Sequence, residues 1–401
     1  MKIVITHTDL RLYWPARIAA LQKMLLARGD ELHVVEIAGS GSPYSFSAPD
    51  TPDRKGVRNW HCLFPDAEME EISPALASAS LQTRLDQLAP DLVMAGSIAF
   101  PSGATAVRWA KQNNRPVIMF DDARPQDVIR NPLVNYVKRL IYRQVDAILC
   151  PAAPWVEAYA RWEFRPEQIF FGVDVVDNEF WAHRPSTGPV PGLPSGYWLV
   201  VGRQIPAKNL LFLLKAYAAY RDLIPPALGL PLVIVGEGPE RSAMESYIKE
   251  HRLQQVILLP FVNQQTLRMI YHHAAALILP SRSETWGLVV NEAMAAGLPV
   301  LVSTRCGAAA VLVEDKVNGY TFSPEDPLEL THALLAFTNL GSRQKAAMSL
   351  ASKRLISPWG LAQFAHGSLQ AIQYAMTHNK RCRSAHTRFI LRQWKGRYRP
   401  V

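Results

Sequence analysis

Two series of short apolar runs, each run leading into a helical stretch, constrain this chain more than any other feature. In the first series KIVIT (2–6) leads to a helical stretch near 14–28 that ends at Gly29, and ELHVVEI (31–37) follows. DLVMAG (91–96), PVIMF (116–120) and DAILC (146–150) continue it. Runs without polar alternation are buried on both faces, the condition of strands in a parallel sheet covered by helices. Arg184 to Gly196, RPSTGPVPGLPSG, then interrupts with four prolines and three glycines, the composition of a linker. The second series is YWLVV (197–201), PLVIV (231–235), QVILLP (255–260), AALILP (275–280) and PVLVS (299–303). The pattern predicts α/β architecture with two Rossmann-like, doubly wound parallel-sheet domains, over residues 1–185 and 186–357. A chain of 401 residues has the length for two such domains of about 150–200 residues each. Ser357-Pro358 reads as an N-cap and first-turn proline opening a helix over about 358–377, which would pack back on the first domain.

Composition adds one constraint. Hydrophobic residues at 49% and charged residues at 19% describe a globular chain, not a disordered one. Cys62, Cys150, Cys306 and Cys382 are scattered, with no CxxC pair or metal-ligand spacing, so a reducing cytoplasm and no structural zinc are expected. MKIVITHTDL reads as a first strand and not a signal peptide, and no stretch approaches the roughly 18 apolar residues of a membrane span.

The net charge of +9 is unevenly placed. From Leu330 to Val401 there are 12 Lys and Arg and no Asp or Glu, so the basicity belongs to the C-terminal end. In the tail, 378–401, eight basic residues interleave with Phe389, Ile390, Leu391, Trp394 and Tyr398. Leu391, Trp394 and Tyr398 share one face of a helix, which suits an anionic membrane surface. A solvated tail is the plain alternative, and nucleic acid ranks last because no recognisable binding motif accompanies the charge.

In open parallel sheets ligands sit beyond the carboxyl ends of the strands, so the turns after these runs are where chemistry is sought. After YWLVV comes Gly202-Arg203-Gln204-Ile205-Pro206-Ala207-Lys208-Asn209. Gly202 permits close backbone approach, and Arg203 and Lys208 put two cations beside a helix start, an arrangement for a pyrophosphate or simply solvated loop charges. After PLVIV, Gly236-Glu237-Gly238-Pro239 leaves out side chains where a base or ribose would lie, or serves only the turn. After AALILP, Ser281 to Glu292 places Glu284 in the loop, Gly287 at a helix start and Glu292 a turn and a half inside the helix. Carboxylates accept from vicinal hydroxyls and a helix N-terminus offers N–H groups to an anion, so one site would hold a sugar and a phosphate. Taken singly, either Glu also reads as an ordinary helix-end or surface charge.

Together these residues resemble the second domain of the GT-B-fold glycosyltransferases of family 4. The Glu-x7-Glu motif running into EAMAAGLPV, the Gly-Arg-x4-Lys-Asn turn, the Gly-Glu-Gly-Pro turn and Asn318-Gly319-Tyr320 follow the family's order, and Phe171-Gly172-Val173-Asp174 looks like its Asn-Gly-Val-Asp element. The resemblance covers about residues 145–335. It implies two domains facing a central cleft, and transfer with retention from a nucleotide-diphosphate sugar, UDP- or GDP-linked, with no cofactor and no obligatory metal. By position, Arg203 and Lys208 would hold the diphosphate, Glu284 the donor-sugar hydroxyls and Glu292 the ribose. Gly202, Glu237, Gly238, Trp286, Gly287 and Leu288 would complete the donor site. The acceptor would be a glycan or lipid-linked molecule in bacterial surface polysaccharide synthesis, the protein being cytoplasmic and peripheral on the inner face of the membrane. A nucleotide-sugar epimerase and a non-catalytic membrane scaffold are the alternatives.

The first domain departs from the family pattern. Its turns read His7-Thr8-Asp9, Met94-Ala95-Gly96-Ser97 and Asp121-Asp122-Ala123-Arg124. Asp121 and Asp122 are candidates to bind acceptor hydroxyls or act as a base, or else to cap a helix. His7 reads equally as catalytic and as a satisfied core histidine.

Overall fold

The computed structural model describes residues 1–41, 56–123, 131–186, 188 and 190–397. Two compact units divide it, one of Met1–Val175 with Leu361–Val401, the other of Val176–Gly360.

The first unit is a seven-stranded sheet of β1 (Lys2–His7), β2 (Glu31–Ser40), β3 (Trp60–Glu68), β4 (Leu92–Ala95), β5 (Val117–Phe120), β6 (Ala147–Cys150) and β7 (Ile169–Phe171). Its order is β3-β2-β1-β4-β5-β6-β7, and every pairing is parallel. The chain winds outward in one direction from β1 and then in the other from β4, so the switch point lies between those two strands. Central strands are buried along their length, as the unbroken apolar runs require. The edge strand β3 is half-exposed throughout, which is why it leaves no such run.

The second unit is a six-stranded sheet of β8 (Trp198–Val201), β9 (Leu232–Val235), β10 (Val256–Leu259), β11 (Ala276–Leu279), β12 (Val300–Ser303) and β13 (Gly319–Phe322). The order is β10-β9-β8-β11-β12-β13, again parallel at every pairing. Here the switch point separates β8 from β11. A helix at Leu210–Leu223 covers one face with Leu213, Leu214, Tyr217 and Tyr220, and joins a single apolar core with Trp198, Ile234, Ile278 and Phe337.

The units part ahead of the proline-rich stretch where the composition shifts. The reason is the short helix Asn178–Ala182, which packs on the helix Leu288–Ala295 of the second unit and buries Trp181 with its ring 5.5 Å from that of Tyr271. Ser357 and Pro358 do not open the last long helix. They end the helix Ser342–Ile356, the Ser357 hydroxyl donating back to the Arg354 carbonyl at 3.0 Å, and the last long helix begins at Leu361. That helix, Leu361–Thr377, packs against β6, β7 and the helix Trp14–Leu26, with Phe364, Ile372 and Ala375 buried in the first unit's core.

The tail differs from its predicted form. Its helix spans Ala385–Gln393 and ends before Trp394, so Leu391, Trp394 and Tyr398 form no helical stripe; Tyr398 lies outside the described residues. Leu391 is buried, and the Trp394 indole N–H donates to the Ile98 carbonyl at 2.7 Å. These apolar groups are spent inside the first unit, because the helix docks against Pro101–Gln112 and Pro132–Tyr142.

Candidate active site

Three turns leave the carboxyl ends of β8, β9 and β11, and the second unit's switch point brings them together. The turn after β8 closes as a 3-10 turn over Pro206–Lys208, with Asn209 in the left-handed region at φ 59°. Asn209 is buried and its amide donates to the carbonyls of Pro280 (3.3 Å) and Pro324 (2.9 Å). The Arg282 amide donates to the Ala207 carbonyl at 2.9 Å. These bonds stitch the loop after β8 to the loop after β11, and two predicted residues meet across the seam. The Lys208 ammonium is paired with Glu284 Oε2, which also accepts from the Ser281 hydroxyl at 3.2 Å. Both partners keep some exposure, at 18% and 17% of their side chains, so the pair is reached by solvent. Arg203 lies on the same turn and is half-buried.

Gln204 ties in the third turn. Its side chain is fully buried, Nε2 donating to the Gly236 carbonyl at 2.6 Å, while its backbone N–H donates to Glu237 O at 2.7 Å and its carbonyl accepts from Glu240 at 3.0 Å. This corrects the reason for the glycines. A Cβ on Gly236 would stand 2.1 Å from Gly202 O, and one on Gly238 2.4 Å from Gln204 O. The missing side chains admit the neighbouring loop. Gly202 has the reverse status: a Cβ there would meet only the Lys208 side chain, at 3.6 Å. Glu237 is exposed. Gly236→Ala, with φ +137° and a backbone oxygen in the way, is expected to cost at least about 1–3 kcal/mol. Gly202→Ala should melt like the wild type. Chemical denaturation of both variants checks the contrast, and equal stabilities would contradict it.

The helix Leu288–Ala295 starts at Gly287, φ 102°, with no side chain capping its first turn. Its leading N–H groups, at Leu288 and Val289, take no side-chain cap and are the kind of donors that suit an anion. Glu292 sits farther in, buried, with the Tyr271 hydroxyl donating to Oε2 at 2.7 Å. Trp286 is placed otherwise than as a donor contact. It is 1% exposed, donates its indole N–H to Asn291 Oδ1 at 2.8 Å and packs its ring 5.6 Å from that of Trp359. It anchors the loop from below. Gln204, Asn209, Ser281 and Tyr271 therefore organise the site without having been singled out; Gln204 and Asn209 lay inside the signal turn, whereas Tyr271 comes from the helix Gln264–His273 and left no local mark.

In the first unit, Asp121 and Asp122 follow β5 as expected, and Asp121 is clasped by its own fold. Its carboxylate accepts from the Tyr142 hydroxyl and, at 3.0 Å, from the Ala123 N–H, and it stands 3.8 Å from the Lys138 ammonium. The Asp122 carbonyl accepts from the Trp155 indole at 2.7 Å. Neither caps a helix in the described residues. His7 ends β1 with Nδ1 donating to the Asp9 carbonyl at 2.9 Å and its ring 5.3 Å from that of Trp14. Burial pushes its pKa below the ordinary 6.5. The unfolded chain then binds more protons than the folded one below that value, so stability is full above about pH 6.5 and is lost as pH falls. His7→Gln should flatten the fall in melting temperature between pH 7.5 and 5.5; an unchanged slope would place the titration elsewhere.

Among the described residues, no group of three or more His, Cys, Asp or Glu side chains is placed to hold a metal ion, and no helix is long and apolar enough to cross a membrane.

The chain and its fold have known relatives. Residues 193–354 match the family of glycosyl transferases group 1, and residues 15–171 match the glycosyl transferase 4-like domain. The chain is 35% identical over 116 residues to the uncharacterized glycosyltransferase YqgM of Bacillus subtilis, covering 29% of this chain and 32% of that protein. To glycogen synthase of Mycobacterium tuberculosis it is 30% identical over 187 residues, 46% of this chain and 43% of that one. The matches thus span a third to under half of these relatives' length. Among solved structures, Anabaena HepE in complex with UDP superposes with a TM-score of 0.69 at 16% identity, over 93% of this chain and 100% of that one. The lipopolysaccharide outer core galactosyltransferase WaaB, in its apo form, gives 0.65 at 14%, over 93% and 99%. Both share the fold, two parallel-sheet Rossmann-like domains of the GT-B kind.

Proposed function

We propose that the chain, which has the GT-B fold, is a glycosyltransferase that moves a sugar, with retention, from a nucleotide-diphosphate donor to a glycan or lipid-linked acceptor. The observation that carries this reading is the Lys208–Glu284 pair at the switch point of the second sheet, beside the uncapped helix that begins at Gly287. A cation, a carboxylate and free N–H groups are what a sugar diphosphate demands of one small site.

In this reading the diphosphate draws the Lys208 ammonium away from Glu284 and lies between it, Arg203 and the helix start. The two cations offset the charge that develops as the sugar leaves. Glu284, released, turns to the sugar hydroxyls. Glu292 takes the ribose hydroxyls, its carboxylate held in place by Tyr271. HepE has been solved in complex with UDP and with UDP-glucose, which supports a nucleotide-sugar donor here, UDP or GDP. A role in surface polysaccharide synthesis is supported by WaaB, a lipopolysaccharide galactosyltransferase of the same fold.

The test is turnover of a panel of UDP- and GDP-sugars with and without an acceptor extract. Release of nucleoside diphosphate that depends on the acceptor is expected. Release without acceptor, yielding an altered free sugar, would favour an epimerase instead.

A further inference from the structure

The described residues expose few large apolar side chains, and four of them lie on two packed helices of the first unit. Leu133 (69% exposed), Val134 (40%) and Tyr136 (49%) occupy the first turns of the helix Pro132–Tyr142, and Phe389 (61%) lies on the tail helix Ala385–Gln393. The two helices pack together, and Tyr136 meets His386, one turn before Phe389, with ring centroids 6.4 Å apart. The first helix buries Lys138, Ile141 and Tyr142; Leu133 and Tyr136, three residues apart, lie together off that face, while Val134, one turn ahead of Lys138, is exposed at the helix's first turn.

The tail that carries Phe389 is rich in cations. Arg381, Arg383, Arg388, Arg392, Lys395 and Arg397 are all exposed. Neither the helix Pro132–Tyr142 nor the chain from Leu330 onward contains an Asp or Glu, so these elements carry no carboxylate of their own to neutralise them. Trp394 and Arg397 bond to the carbonyls of Ile98 and Ala99 at 2.7 Å, fixing the tail along the loop that follows β4. The cations are therefore held on the folded unit and not on a loose end.

We infer that this face, Leu133, Tyr136 and Phe389 with Arg388 and Arg392 beside Phe389 on the tail helix, docks the protein on an anionic lipid bilayer. Apolar side chains enter the headgroup boundary while the tail cations meet the lipid phosphates, the two components that interfacial binding requires. A nucleic acid would match the cations and leave the aliphatic residues without a partner. The inference replaces Leu391, Trp394 and Tyr398 as the membrane-facing set, and it stands independently of the transfer reaction.

The test uses the full chain with vesicles of phosphatidylcholine, alone or with one part in three of phosphatidylglycerol. Sedimentation should show binding to the anionic vesicles only, weakened between 0.1 and 0.5 M salt. Arg388→Gln with Arg392→Gln should lower the partition coefficient about 10–30-fold. Leu133→Ser with Phe389→Ser should lower it at low salt also, with an unchanged melting temperature because both side chains are exposed. Equal binding to neutral vesicles, no binding to either, or no response to Leu133→Ser with Phe389→Ser would each overturn the inference. Tight binding to a DNA or RNA oligonucleotide without vesicle binding would assign the cations to nucleic acid instead.

Discussion

Lys111→Met should destabilise the first unit by about 3–5 kcal/mol, because it strands Asp146 as an unpaired carboxylate in the interior. The two side chains are 1% and 0% exposed and stand 2.6 Å apart. Asp146 also accepts from the N–H of Val117 at 2.8 Å and of Lys380 at 2.6 Å, and the Lys111 ammonium donates to the carbonyl of Lys380 at 2.9 Å. Burial pushes the Asp146 carboxyl up while Lys111 and the two N–H groups pull it down; burial also lowers Lys111. The pair is thus held by its partners against the cost of desolvation. At roughly 2–4 °C per kcal/mol for a unit of this size, the melting temperature should fall by roughly 6–20 °C.

Two further outcomes separate a stranded charge from a simple packing defect. Adding Asp146→Asn to Lys111→Met should restore a large part of the loss, since removing both charges costs less than removing one. The single variant should also recover at acid pH. With its lysine gone the folded carboxyl holds a proton more readily than the unfolded one, so stability rises as pH falls. A double variant no better than the single one would contradict this account. Because Lys380 leads into the tail, the node also explains how a basic segment remains docked beside β6.

Glu284→Ala should lower transfer about 100–1,000-fold while leaving nucleoside diphosphate binding intact or tighter. The opposite signs follow from the pairing with Lys208. The carboxylate is needed for the sugar, but in the free protein it competes with the diphosphate for the same ammonium. Steady-state kinetics should show the loss in kcat. Wild-type turnover would mean that Glu284 does not meet the sugar, and a joint loss of turnover and diphosphate affinity in a folded variant would mean that it positions Lys208 instead.

How much of this was legible in the sequence depended on whether a residue's task was local. Central strands such as Val117–Phe120 and Ala276–Leu279 are buried on both faces, and that leaves an unbroken apolar run. The strands Trp60–Glu68, Ile169–Phe171 and Gly319–Phe322 lie at sheet edges, are short or half-exposed, and leave none. Lys208, Glu284 and the start at Gly287 could be read because strand-to-helix turns announce themselves by glycine and charge. Their mutual pairing could not, since it depends on β8 and β11 being neighbours across 76 residues of chain. Gly238 was visible as a glycine and its purpose was not, because the atom it makes room for belongs to Gln204 on another turn. In the tail the expected stripe fails because the helix ends at Gln393, and which face it buries was decided by helices far earlier in the chain.

The central claim is that the switch point of the second sheet holds a nucleoside diphosphate through Lys208. Calorimetric titration of UDP and of GDP into the wild-type chain and into Lys208→Ala tests it most directly. One of the two nucleotides should bind the wild type. Loss of a charged hydrogen-bond donor, at about 1.5–3 kcal/mol, should weaken that binding roughly 10–150-fold with no change in melting temperature. Equal affinity in the two proteins, or no binding of either nucleotide to the wild type, would contradict it.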